Sequence, residues 1–106
     1  MGDDDAYVAL LLVHLHFPEA GSLKAKRKEL SSVKAQLHGR LGAAVAEVEH
    51  QDLWQRATLA VALTAGSESG ARLQADRVEN WLLDRFPQGV RVERAYASLE
   101  ELGVAS

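Results

Sequence analysis

The sequence predicts an α+β fold: a four-stranded antiparallel sheet with two helices on one of its faces. Three observations carry that expectation. Two segments space their apolar residues as amphipathic helices do, four have the alternation or composition of strands, and they follow one another as β-α-β-β-α-β. At 106 residues, 47% apolar and 25% charged, the chain has the size and composition of one globular domain.

Residues 1–5, MGDDD, read as a disordered acidic leader; a secretory signal would be basic there, so export is not expected. Residues 7–17, YVALLLVHLHF, are apolar on both alternating faces and stop at Pro18, as a strand covered on both sides would. Ser22 is a sound N-cap for a helix over about 22–40, which Gly39 and Gly42 close. Residues 43–50 alternate as a second strand. Residues 53–65 follow as a third, with Gln55, Ala57, Leu59, Val61 and Leu63 on one face and Trp54, Arg56, Thr58, Ala60 and Ala62 on the other. After the break at GSESG, a second helix over about 69–85 lines up Ala71, Ala75, Val78, Trp81 and Leu82. A turn at 86–89 leads into a last strand over 90–97, alternating Val90, Val92, Arg94 and Tyr96. Residues 6–99 thus form a single domain and 100–106 a C-terminal tail.

That order most simply gives a ferredoxin-like sandwich with the first and third strands central. It also brings four segments to one edge of the sheet: the end of the first strand, the start of the first helix, and the turns before the third and fourth strands. His14, His16, Lys24 to Lys28 and the segments 50–56 and 85–89 are expected to converge there.

The start of the first helix poses a puzzle. The stretch GSLKAKRKEL places four of the chain's twelve basic residues where a helix already carries about half a positive charge, at a cost of a few tenths of a kcal/mol each. The whole chain carries −3, yet residues 24–40 alone carry +5 and the remainder −8. On a helical wheel Leu23, Leu30, Val33, Leu37 and Leu41 make the core stripe, and Lys26 and Arg27 occupy the rung where an apolar residue belongs. Lys24, Arg27, Ser31, Lys34 and His38 fall along one flank. The expectation is a polyanion partner, with Lys24, Lys26, Arg27, Lys28 and Lys34 neutralising RNA phosphates and Trp54 and Arg56 making the closest contact. His14, His16, Gln51 and Asp52 would assist. On that view, Gln in place of Lys24, Lys26 and Arg27 leaves the fold intact. Loss of folding would instead mean that the cations meet an internal acid such as Glu49 or Asp52. The plainer alternatives are a solvated helix face and a turn packed for structure alone.

The stretches SLKAKR at 22–27 and QDLWQRA at 51–57, after a first strand ending in HLHFP, resemble the YlxP-like family of bacterial proteins, a domain of unknown function. The similarity covers about residues 6–97. The motif positions it carries over are Ser22, Leu23, Lys24, Lys26 and Arg27, then Gln51, Asp52, Leu53, Trp54, Gln55, Arg56 and Ala57. The resemblance implies a ferredoxin-like fold. Because genes of the family often neighbour those for transcription termination, translation initiation and ribosome maturation factors, it also implies a role in RNA or ribosome biology. It implies no activity.

Other classes of function find little support. The chain has no cysteine, so thiolate nucleophiles and Cys-based metal sites are excluded. His14 and His16 share a strand face as two metal ligands would, but no local third ligand accompanies them and no metal is expected. No Gly-rich phosphate loop or nucleophile elbow is present, so neither an enzyme nor a cofactor is expected. No apolar run approaches the ~18 residues of a membrane span, and a cytoplasmic location is expected. The rival to RNA binding is a protein-interaction module, most simply a homodimer through the open sheet face, where Val8, Leu10 and Leu12 are too apolar to stay wet.

Overall fold

The computed structural model describes residues 6–18, 20–49, 53–87 and 89–103. Its elements are β1 (Tyr7–His16), α1 (Leu23–Leu41), β2 (Ala44–Glu49), β3 (Arg56–Ala65), α2 (Glu68–Arg85) and β4 (Val90–Ser98). The strands form one antiparallel sheet in the order β2-β3-β1-β4, so the fold is ferredoxin-like with β1 and β3 central. Cross-strand pairs fix the register, with His16 opposite Arg56 on one side of β1 and His14 opposite Arg91 on the other.

Both helices cover one face of this sheet. Ala9, Leu11, Val13 and Leu15 of β1 and Ala57, Leu59, Val61 and Leu63 of β3 are buried beneath them. They meet Leu30, Val33 and Leu37 of α1 and Ala71, Ala75, Val78 and Leu82 of α2. Each fully buried Leu or Val contributes about 1.5–3 kcal/mol relative to an exposed one, so this layer supplies most of the driving force for folding. Arg94 also points to the helix side, where Asp76 (2.8 Å) and Glu79 (2.6 Å) of α2 hold it. Burial works against the charge of Arg94, yet the bonds to Tyr96, Asp76 and Glu79 outweigh it and raise the guanidinium pKa. That cation belongs to the fold.

Caps define the helices. The Ser22 hydroxyl accepts from the Ala25 amide at 3.1 Å, and Ser67 caps α2 by accepting from Gly70 at 3.0 Å. Gly42 ends α1 at φ 70°, a left-handed conformation that a side chain would strain. Past β4, Ser98 and Glu101 exchange backbone–side-chain hydrogen bonds of 2.8 and 3.1 Å, so the start of the expected tail is a capped turn.

Three expectations need correction. β1 is apolar on both faces but buried on only one, and Leu10 on the other remains 48% exposed. β3 begins at Arg56, so Trp54 sits in the preceding turn and does not project from a strand face. In α1, Leu23 is exposed and the first inward position belongs to Lys26. Among the described residues, no helix is long and apolar enough to cross a membrane.

Candidate functional site

The basic start of α1 turns part of its charge inward. Lys26 occupies a core rung and is 0% exposed. Its ammonium donates to the Leu53 carbonyl at 2.6 Å and lies 3.9 Å from Glu47 Oε2. The other Glu47 oxygen accepts from Arg27 Nη1 at 2.6 Å, and the Glu47 side chain is only 8% exposed. A buried charge is tolerable only when paired and hydrogen-bonded, and the Lys26 ammonium has both, a carboxylate beside it and a carbonyl acceptor. Lys26 is therefore not the RNA contact the sequence led us to expect, and the Arg27 guanidinium is engaged within the chain. The first motif stretch thus grips the second: SLKAKR holds the backbone of LWQR in place.

The acid that answers these cations is Glu47. Strict alternation would put Glu47 and Glu49 on one face. A register shift between them instead pairs Glu47 with Leu59, on the helix side, and Glu49 with Thr58, on the open side. Glu47 thus keeps the helix-side phase of Val45 at the core edge, while the shift turns Glu49 outward and leaves it exposed. Gln51 and Asp52 lie outside the described residues.

Lys24 and Lys28 remain exposed, and Lys34 is half-buried. The turn that Lys26 anchors presents Trp54, 49% exposed, and Leu53, Trp54, Gln55 and Arg56 line a hollow of about 350 Å³. On the open side of the sheet, at the same end, a larger cleft of about 440 Å³ is lined by His14, His16, Arg56, Thr58, Gly89 and Arg91. Of these, sequence reasoning missed Arg91 and Thr58 as site residues. Arg91's outward position between Val90 and Val92 was visible, but its register opposite His14 was not.

The walls of this cleft are fixed. His14 Nε2 lies 2.6 Å from Glu93 Oε2, and Thr58 Oγ1 lies 3.4 Å from His14 Nδ1. With Nε2 donating to the carboxylate, Nδ1 of the neutral ring faces the Thr58 hydroxyl as an acceptor. The His14 hydrogen bond, helped by the nearby Arg91 charge and opposed by desolvation, holds the Glu93 carboxyl below its ordinary pKa. Arg91 Nη1 is 3.5 Å from the same oxygen. His16 donates its amide to the Gly89 carbonyl at 2.8 Å, and Phe17 donates to Gln55 at 2.8 Å. A Cβ on Gly89 would stand 3.0 Å from the His16 carbonyl oxygen, tight enough that the close approach of the two backbones favours glycine. Behind them Phe17 and Phe86 stack edge to face, with centroids 5.6 Å apart.

Comparison with known proteins agrees with this frame. A family model described as "Protein of unknown function (DUF503)" matches residues 8–94. The "Uncharacterized protein YlxP" of Bacillus subtilis (strain 168) is 29% identical over 82 residues, covering 77% of this chain and 85% of that protein. Among solved structures, the de novo designed protein Foldit4 aligns over 87% of this chain and 96% of its own at a TM-score of 0.57 and 8% identity, a likeness of fold alone.

Proposed function

The chain belongs to the DUF503 family, and from that premise we propose that it is a non-catalytic RNA- or ribosome-associated accessory protein. Its binding surface runs from Lys24 and Lys28 across the Trp54 turn to Arg56, His16 and Arg91. The supporting observation is that exposed cations and an exposed tryptophan gather at one end of a chain whose net charge is −3. A polyanion is steered to that end and repelled elsewhere. Arg and Lys neutralise phosphates, and Trp54 offers a face on which a base stacks.

The test is RNA affinity as a function of salt. Replacing Lys24, Lys28 and Arg56 by Gln should weaken binding and flatten the salt slope by roughly 0.7 per lost phosphate contact on a single strand. Trp54→Ala should weaken binding with little change in slope, since stacking releases no counterions. Equal binding by the triple variant and the parent would sink the proposal.

The shape of the open sheet face favours a second reading, a homodimer. Val8, Leu10 and Leu12 make a central ridge there, flanked in register by Ala60 and Ala62 on β3 and by Ala95 and Ala97 on β4. A two-fold copy can lay its ridge in such a trough. At about 4.8 Å per strand and 3.3 Å per residue the face projects on the order of 600 Å², close to the ~800 Å² per partner of a standard interface. Sedimentation should then show a dimer at micromolar concentration that Leu10→Asp dissociates; a monomeric parent removes this reading.

A further inference from the structure

We propose that the cleft between Arg56 and Arg91 is a site for a phosphate monoester, a group carrying a terminal, dianionic phosphate. β3 and β4 flank β1, with Arg56 opposite His16 and Arg91 opposite His14. Strands about 4.8 Å apart and a two-residue offset of about 6.7 Å put the two arginine Cα atoms roughly 12 Å apart, a gap that two extended guanidinium side chains close around one phosphate. Both arginines are exposed, Arg91 to 68% of its side chain, and its solvated 3.5 Å pairing with Glu93 leaves it able to turn toward a ligand.

The donor set favours phosphate over a carboxylate. Guanidinium forks match phosphate oxygens two at a time. The exposed His16 imidazole adds a donor, while the His14 ring and the Thr58 hydroxyl, engaged with Glu93 and with each other, shape the wall behind it. Charge points the same way. Among the described residues, two arginines face one carboxylate in the cleft, that of Glu93, which the His14 ring engages, while Glu49 stands beyond Thr58 on the side away from Arg91. A monoester at −1.5 to −2 near pH 7 uses that excess better than a diester at −1. The Gly89–His16 backbone contact and the His14–Glu93 bond keep the pocket formed before the ligand arrives.

The phosphate has two possible sources, the end of an RNA strand or a small free phosphomonoester, and only the first rests on the proposed RNA association. The intact protein should be titrated with inorganic phosphate and with matched oligoribonucleotides ending in a 5′-phosphate, a 3′-phosphate or hydroxyls alone. A phosphate-ended strand binding at least about tenfold tighter than the hydroxyl-ended one, with Arg91→Gln erasing that preference while the hydroxyl-ended strand weakens only by the single backbone contact it loses, supports the site and names a strand end as its ligand. Arg91-dependent binding of inorganic phosphate without any preference among the strands supports the site with a small-molecule ligand. If the hydroxyl-ended strand binds as tightly as the others and inorganic phosphate does not bind, the site is overturned while RNA association stands. If nothing binds, both fall. Arg91 lies on an exposed edge strand, and circular dichroism of the variant checks that its fold is unchanged.

Discussion

Two regions of this protein concentrate positive charge, and they use it in opposite ways. At the start of α1, Lys26 is enclosed and Arg27 is tied to Glu47, so that the charge holds the Leu53–Trp54 turn against the helix. At the end of the sheet, Arg56 and Arg91 stand on the face that no helix covers, around a cleft. The deciding variable is whether a carboxylate shares the cation's side of the sheet and can be buried with it. Alternation from Val45 sets that carboxylate, Glu47, on the helix side, and the bulge that follows it in β2 moves Glu49 to the other. Basic residues crowded in sequence are thus not one functional patch. They divide between scaffold and surface.

The sharpest way to break this contrast is to remove Lys26. Lys26→Ala leaves Glu47 buried without one of its cations and frees the Leu53 carbonyl from its donor, so stability should fall by about 3–5 kcal/mol. Arg91→Gln, at a solvated position, should change stability by no more than about 0.5 kcal/mol. Urea denaturation of the two variants measures both numbers. Equal midpoints would mean that the start of α1 is no more internal than the cleft.

A second substitution probes the rigidity of the cleft itself. Gly89→Ala sets a methyl 3.0 Å from the His16 carbonyl oxygen, and backbone cannot swing aside as a side chain does. Overpacking of this kind costs about 1–3 kcal/mol, and the loss should appear as a lower thermal midpoint together with weaker phosphate binding. Unchanged stability would show that the β1 and β4 ends part easily, and the cleft would lose its claim to be preformed.

Much of this molecule was legible in its sequence, and the reasons are specific. The periodicities of 57–63 and 71–82 reflect faces that meet one continuous core, so element order, central strands and buried rows followed directly. Lys26 was visible as an intruder in a core stripe, and its fate was not, because the answering Glu47 comes from a strand over twenty positions away, and only the bulge after it, which alternation cannot foretell, separates it from Glu49. His14, His16 and Arg56 were legible as neighbours once the topology was assumed. Arg91 and Thr58 joined them only through register, a long-range property fixed by the packed sheet.

The exposed lysines of α1 give a smaller and opposite effect. Lys24 and Lys28 face solvent near the positive end of the helix dipole, so Lys24→Gln with Lys28→Gln should raise stability by a few tenths of a kcal/mol at low salt. Screening at 1 M salt should erase the gain. Thermal melts at the two salt concentrations check this. A loss of stability instead would place these lysines with Lys26 among the structural cations and shrink the surface left for a polyanion.

The smallest expected effect concerns the bond that orients His14. Glu93 titrates below its ordinary value of 4.5 in the folded chain. A carboxyl whose folded pKa is depressed contributes stability above the unfolded pKa and loses it as pH falls through the folded one. The stability difference between the parent and Glu93→Gln should therefore be fully present at neutral pH and shrink as pH drops below about 4.5, vanishing once both states bind the proton. Because Glu93 is solvent-exposed, the difference is small and salt-sensitive, and chemical-denaturation midpoints at closely spaced pH values are needed to resolve it. A difference that stays flat through this window would mean that the Glu93 carboxylate does not hold the imidazole. His14 would then turn freely, and the wall it forms between Thr58 and Glu93 would no longer be set before a ligand arrives.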